Sequence, residues 1–197
     1  MDDLEKSKHL LIESAIRCVA AHGYHKASLR LICDDANLSL GMVRHCFNNK
    51  LEMMTAAYQY LSDELLLETN KTIAEFAEDP RSQLEAFIVS GFRKPVFEDD
   101  KIMFRFSMWA LTRTEPAIAV VHEKLYIRYR KSAKQLFSDL AAKNKIALDT
   151  NVAALALTAY LDGLWLEWVV NPKKYNTKAM LAMCMDLVDS YIAGAKS

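Results

Sequence analysis

Glycine and proline are scarce in this chain of 197 residues, which contains five glycines and four prolines. So few breakers leave little room for the many tight turns of a β-sandwich or barrel, and they favour long helices. The 25 basic and 25 acidic residues cancel, so attraction to nucleic acid must come from a local patch rather than from overall charge. Hydrophobic residues make up 52% of the chain, which excludes an intrinsically disordered protein.

Paired cysteines, long uncharged apolar runs and an apolar leader are also missing. None of the four cysteines belongs to a C-x-x-C pair, so we expect buried free thiols in a reducing compartment. No apolar stretch reaches about 18 residues without a charge, and the opening MDDLEKSKHL has acids but no apolar core. We therefore expect a cytoplasmic protein with no membrane partner. The usual catalytic and metal-binding motifs are absent, so we expect no enzyme, no metal and no cofactor.

Apolar residues recur at helical spacing along the chain, and caps and breakers divide it into nine predicted helices without a convincing strand. Ser28, Ser39 and Asp149 are predicted N-caps, and Asp79-Pro80 is predicted to separate two helices. The fourth helix is expected to run from about Asn49 to Glu78, because this stretch has neither glycine nor proline. The predicted fold class is all-α.

The second and third predicted helices are short and are joined by a tight turn, which is typical of a helix-turn-helix. Asn37 occupies that turn, and asparagine accepts a left-handed conformation better than other residues with a side chain. Any small helical bundle has such a corner, so DNA binding and a purely structural role both remain open. Charge does not separate them, because residues 1–60 hold seven basic and seven acidic side chains.

Residues 28–54, SLRLICDDANLSLGMVRHCFNNKLEMM, resemble the DNA-binding motif of the TetR family of transcriptional repressors. The positions in register with the family pattern are Ile32, Ala36, Ser39, Gly41, Phe47, Lys50 and Met54. The chain departs from the pattern at Asn37, which replaces the turn glycine, and at Arg44, which replaces a tyrosine. Residues 160–167, YLDGLWLE, are similar to a segment of the choline-responsive, betaine-pathway branch of the same family.

The resemblance implies a helix-turn-helix DNA-binding domain over residues 1–48 and a ligand-binding and dimerisation domain over residues 49–197. It also implies a homodimeric repressor that binds a palindromic operator in double-stranded DNA until a small-molecule inducer releases it. Choline or a related quaternary ammonium is the candidate inducer. The alternative is a helical small-molecule or partner-binding module whose DNA-binding head has lapsed.

Seven residues are expected at the DNA by their match to the family motif. They are Ser28, Ser39, Leu40, Met42, Arg44, His45 and Lys50. Ser28 and Lys50 would hold phosphates at helix starts. Arg44 and His45 would make polar contacts with phosphate or guanine, and Leu40 and Met42 would touch thymine methyl groups.

Aromatic residues of the second domain suggest a cation cage, because aromatic faces attract ammonium groups. The best candidates are Phe106, Trp109, Tyr126, Tyr160 and Trp165, with Asp162 or Glu167 as counter-charge. Plain core packing is the alternative for most of these aromatics.

The last two predicted helices each carry two apolar stripes, although one stripe suffices to pack a helix on a core. The surplus favours a homodimer, with full burial in a monomer core as the alternative. The interface is expected to contain Leu164, Trp168, Met180, Cys184, Leu187 and Tyr191.

Overall fold

A computed structural model describes residues 3–76, 79–174 and 176–194 of the chain. Within these residues it contains nine helices and no strand, which confirms the predicted all-α fold class. The helices are α1 Asp3–His22, α2 Leu29–Ala36, α3 Leu40–Cys46, α4 Lys50–Ala74, α5 Pro80–Ser90, α6 Asp99–Leu111, α7 Pro116–Asn144, α8 Thr150–Val170 and α9 Thr177–Gly194.

Side-chain caps begin the helices where the sequence predicts them. The hydroxyl of Ser28 accepts a hydrogen bond from Leu31 N, and the hydroxyl of Ser39 accepts one from Met42 N, both at 3.2 Å. The Asp149 carboxylate accepts from the first backbone N–H groups of α8. Each cap satisfies amides that a helix start would otherwise leave without partners.

The fourth helix ends earlier than predicted, at Ala74 rather than near Glu78, which lies outside the described residues. The reason lies in the start of the next helix. Asp79 is extended, with φ −116°, and its carboxylate caps Ser82 N, while Pro80 occupies the first turn. An extended Asp79 cannot continue α4, although no glycine or proline in the sequence marks the end of that helix.

Backbone contacts divide the chain into two compact units. The first unit comprises Met1–Glu64 and Glu98–Lys124, and the second comprises Leu65–Phe97 and Leu125–Ser197. This division differs from the predicted boundary after residue 48, because α6 and the first part of α4 pack with the three N-terminal helices. The predicted boundary concerns function and stays a prediction.

The first unit encloses an apolar core that α1, α2, α3, α4 and α6 share. Its fully buried members include Leu11, Ile32, Met53, Tyr58 and Phe104. A polar contact fixes α2 against α1: Asp35 Oδ2 lies 2.7 Å from both Ser14 Oγ and Arg17 Nη2. These hydrogen bonds hold the pKa of Asp35 below its usual range.

The second unit packs α5 and α9 together and buries one face of α8. Arg81 on α5 makes two hydrogen bonds with the Asp189 carboxylate on α9, at 3.0 and 2.7 Å. Such a two-pronged contact fixes both side chains in one geometry. Helix α8 is long and apolar enough to cross a membrane by composition, with a mean hydropathy of 1.3 over its most apolar window. Buried helices of folded proteins have the same composition, and 39% of that window is buried.

Candidate nucleic-acid interface and ligand site

The turn between α2 and α3 has the conformation that a helix-turn-helix requires. Asn37 is left-handed, with φ 53° and ψ 43°, as its position in the sequence predicts. Its backbone N–H donates to Asp34 O at 3.2 Å, and Leu38 N donates to Cys33 O at 2.9 Å. The chain thus satisfies the last carbonyls of α2 and reverses within three residues before α3 begins.

Helix α3 presents a basic and apolar face to solvent. Val43 is buried in the first-unit core, which fixes the orientation of the helix. Leu40 is 46% exposed, and Gly41, Arg44 and His45 are exposed beside it. Arg44 and His45 lie in the last turn, and the helix contains no acid. This face combines a side chain that can contact thymine methyl groups with donors for phosphate or guanine.

Three other predicted DNA-binding residues are either half-buried or engaged in helix caps. Met42 is half-buried against the first-unit core, so its side chain is less available than that of Leu40. Ser28 and Ser39 are exposed caps whose hydroxyl protons remain available for donation, since both oxygens act as acceptors in the helix caps. Their positions at helix starts are suited to an anion.

Lys50 has a structural role in addition to its predicted one. Its ammonium donates to the carbonyl of Tyr24 and lies 4.4 Å from the centroid of the Tyr24 ring. Burial lowers the pKa of Lys50. The start of α4 is therefore tied to the turn that joins α1 and α2.

The predicted cation cage is divided between the two units. In the first unit, Phe106 and Trp109 meet edge to face at 4.6 Å, and Trp109 lies 5.9 Å from His122. The ring of His122 is in turn 2.8 Å from the Tyr58 hydroxyl. Tyr126, Tyr160 and Trp165 belong to the second unit.

The second unit contains a desolvated carboxyl group on α8. The hydroxyl of Tyr126 donates to Asp162 Oδ2 at 2.7 Å, and the guanidinium of Arg130 lies 5.0 Å from the Tyr126 ring. Desolvation raises the pKa of Asp162 to about 6, although the Tyr126 hydrogen bond and the charge of Arg130 oppose this change. The pKa of Asp162 is therefore well above that of an exposed aspartate, and a cation placed beside the carboxylate would favour its ionised form.

An aromatic cluster begins one helical turn beyond Asp162. Trp165 is buried, and its ring centroid lies 6.5 Å from that of Phe97. Phe97 also lies 5.4 Å from Phe92 and 4.8 Å from Trp168. A side chain at Gly91 would come within 3.6 Å of the Trp165 ring. Phe97 is the common member of these contacts, and the sequence did not single it out because it lies in a loop outside any helical stripe.

Most of the residues predicted at the dimer interface pack inside the protomer. Leu164, Met180 and Cys184 are buried in the second unit, and they are not available to a partner. Trp168 packs on Phe97, and Tyr191 lies 6.0 Å from Phe137. Leu187 is half-buried. The exposed apolar stripe of α8 is a different one: Val152, Leu155, Ala159, Gly163, Leu166 and Val170.

Comparison with known proteins identifies regulators of transcription. Residues 80–193 match the C-terminal domain of BetI-type transcriptional repressors. The nicotine-responsive transcriptional repressor HdnoR of Paenarthrobacter nicotinovorans is 28% identical over 182 residues, which cover 92% of each chain. The transcriptional regulator BetI of Burkholderia mallei is 25% identical over 186 residues, covering 93% of this chain and 92% of its own.

Solved structures agree with these sequence relatives. A transcriptional regulator from Pseudomonas aeruginosa PAO1 is 30% identical, with a TM-score of 0.89 and coverage of 99% of this chain and 94% of its own. A regulator from Saccharomonospora viridis, crystallised with choline, has a TM-score of 0.80 over 94% of this chain and 96% of its own. Its identity is 19%, so it supports the fold alone. The relatives are regulators rather than enzymes.

Replacing Asp162 should make stability less dependent on pH. Because the pKa of Asp162 is raised from 3.8 to about 6 in the folded state, ionisation of Asp162 disfavours folding, and this penalty is fully present above about pH 6. It shrinks as the pH falls from about 6 to 3.8 and disappears below 3.8, where the carboxyl group becomes protonated in the unfolded state as well. Asp162→Asn should therefore gain up to about 3 kcal/mol over wild type at pH 8, and less as the pH falls towards 4. Urea unfolding at several pH values measures the difference. The exposed Glu167→Gln is the control, and a gain that is independent of pH would contradict the assignment.

Proposed function

Because the chain belongs to the BetI-type branch of the TetR family of transcriptional repressors, we propose that it is a homodimeric repressor of a palindromic operator. A small cationic ligand releases it from the DNA. The exposed basic face of α3, held behind a left-handed turn at Asn37, is the observation that carries the DNA-binding part of the proposal. Acidic and basic residues balance in the N-terminal helix-turn-helix domain, so specific contacts and dimerisation must supply most of the affinity for operator DNA.

Reading of the operator depends on α3. Two copies related by a two-fold axis would place their α3 helices in successive major grooves, about 34 Å apart. Arg44 is the cation best suited to a guanine or phosphate, because it is exposed and its guanidinium can bond two acceptors at once. Ser28 and Ser39 would donate to phosphates beside the groove.

Arg44→Ala should weaken operator binding by more than about tenfold, in line with the cost of losing one good contact. A duplex selected from a random pool by the purified protein serves as the operator, and a gel-shift titration at several salt concentrations gives the affinity. Lys131→Ala, an exposed cation on α7, is the matched control. Unchanged affinity would remove Arg44 from the interface. If the protein binds no duplex at any salt concentration, the result would favour the alternative, a helical binding module that has lost DNA binding.

The ligand is proposed to be an ammonium compound held in the second unit. Asp162 offers a desolvated negative charge, and the aromatic rings of Trp165 and Phe97 begin one helical turn away. An ammonium group gains both from an ion pair in low dielectric and from aromatic faces. One structural neighbour binds choline and one relative responds to nicotine, and both compounds contain a basic or quaternary nitrogen.

Release would follow from a preference of the ligand for one conformation of the protein. Helix α4 begins in the first unit at Lys50 and continues into the second unit beyond Glu64. Because the helix is continuous, we propose that a ligand that favours one position of its second half acts on the first half through it. The change that the ligand can cause in the free energy of DNA binding is limited by the difference in its own binding free energy between the two conformations.

Choline should raise the melting temperature of the purified protein. At a hundred times its dissociation constant, a ligand adds about 2.7 kcal/mol to the free energy of unfolding. The stabilisation should fall below pH 6, as Asp162 becomes protonated, and Asp162→Asn should remove it. Glu123→Gln, at an exposed acid on α7, and the neutral analogue 3,3-dimethylbutan-1-ol are the controls. An equal shift with the neutral analogue, or shifts with apolar compounds only, would contradict a cation site.

The dimer is proposed to form through the exposed apolar stripe of α8 and the adjoining face of α9. Leu155 and Leu166 are 50% and 48% exposed, and Val170 is 64% exposed. On α9, Met183 is 40% exposed beside small residues, and Lys178, Asp186 and Asp189 are exposed as well. A two-fold axis would pair each stripe with its own copy and cover both. Burial of so much apolar surface is the main favourable term in association.

Leu166→Glu should convert the dimer into monomers, because it would place two carboxylates within the covered surface. Light scattering after size exclusion, at several concentrations, measures the mass. Ile127→Glu is the matched control, since Ile127 is 61% exposed on α7 and lies outside the stripe. A dimeric mass for Leu166→Glu would show that the α8 stripe is not the interface.

A further inference from the structure

The carboxyl group of Asp162 has a cation near it as well as a phenol. Tyr126 and Arg130 lie one helical turn apart on α7, and the Arg130 guanidinium is 5.0 Å from the centroid of the Tyr126 ring. The hydroxyl of the same ring donates to Asp162 Oδ2 at 2.7 Å. Desolvation raises the pKa of Asp162, and the charge of Arg130 works against that rise. The proposed ammonium site therefore contains one negative and one positive charge.

The two charges of this site differ in their exposure to solvent. Tyr126 is only 9% exposed and Asp162 is half-buried, whereas Arg130 is exposed. Among the residues that the structure describes, no carboxylate forms a salt bridge with Arg130. Its guanidinium can therefore bond an acceptor that comes from outside the protein. A carboxylate is the best match, because it accepts two parallel hydrogen bonds from a guanidinium.

A ligand with a positive charge alone would leave this site unbalanced. The ionised Asp162 and Arg130 cancel each other before any ligand binds. A quaternary ammonium beside Asp162 would add one positive charge, which Arg130 would repel. Such repulsion is stronger in a partly desolvated site than in water. A ligand that also carries an acid group restores the balance, since the acid can pair with Arg130.

Helix α7 offers cations, and no acid, to the second charge of such a ligand. Between Glu123 and Asp139 the sequence of this helix contains five basic residues and no acidic one. Arg130 and Lys134 follow Tyr126 at intervals of four residues, so the three positions share one side of the helix. An acid group that extends from Asp162 along this side of α7 would meet only positive charge.

We propose that the ligand of the second unit is a zwitterion, whose ammonium group pairs with Asp162 and whose acid group pairs with Arg130. This inference rests on the proposed function, because it narrows the class of compound that the same site takes. Arg130 is then a specificity-determining residue that selects for the second charge of the ligand. The opposing interpretation is structural: Arg130 only stacks on the Tyr126 ring and holds its hydroxyl at Asp162.

Compounds of nearly the same shape separate the two charges of the ligand. Choline has the ammonium alone, and glycine betaine has the ammonium and a carboxylate. The carbon analogues 3,3-dimethylbutan-1-ol and 3,3-dimethylbutanoate lack the ammonium, and 4-(trimethylammonio)butanoate is a zwitterion with a longer spacer. Calorimetric titration of the full chain at pH 8, where Asp162 is ionised, gives the affinities. At least one zwitterion should bind about fivefold more tightly than choline, which is what an exposed ion pair can contribute.

Arg130→Gln should change the affinities for the two kinds of ligand in opposite directions. It removes the partner of the acid group, so the zwitterion should bind more weakly. It also removes a charge that repels ammonium, so choline should bind more tightly, and the order of the two affinities should invert. A residue that merely holds Tyr126 in place would lower both affinities together. Lys131→Gln, at an exposed cation next to Arg130, is the matched control and should leave the order unchanged.

Two results would overturn the proposal: choline that binds at least as tightly as both zwitterions, or an equal loss of both kinds of ligand in Arg130→Gln. In either case the binding of choline would still support the proposed ammonium site. If the zwitterion preference holds but no operator is bound, the proposed repression fails and this inference stands. If neither choline nor a zwitterion binds, both the ammonium site and the inference are wrong.

Discussion

Desolvation of charge is the constraint on which both units depend. An ionised group is tolerated in an apolar core only beside an opposite charge or a hydrogen-bond donor. In the first unit this requirement brings Glu64 together with Lys101 and Arg105. In the second it brings Tyr126 to Asp162, whose pKa still rises to about 6. Because the chain has no net charge, such local pairs, rather than a long-range field, decide where ions can bind.

Much of the fold was predictable from sequence because short-range signals decide it. A cap depends on a hydroxyl or carboxylate three residues from the amide that it accepts, so Ser28, Ser39 and Asp149 could be recognised by position. The turn at Asn37 depends on a single residue that tolerates the left-handed conformation. The end of α4 was predicted too late, since neither glycine nor proline marks it in the sequence.

The candidate sites were less predictable because they depend on which distant side chains meet. Phe97 contacts both Trp165 and Trp168, yet no periodic pattern selects a residue in a loop. Periodicity also cannot tell an apolar stripe that faces the protomer's own core from one that faces a partner. Met180 and Cys184 follow a regular stripe, and they are buried within the protomer, whereas the exposed stripe lies on α8.

The balanced charge of the head determines how the proposed dimer would work. With seven acids against seven bases in residues 1–60, one head has no net positive charge with which to attract DNA over a distance. Tight binding then requires both heads at once, and the second binds at an effective concentration that depends on their separation. In the proposed dimer, a displacement of α4 that altered this separation would weaken bivalent binding. A weakly charged head is therefore suited to a repressor that a modest ligand preference must release, since little non-specific affinity remains to hold it on the DNA.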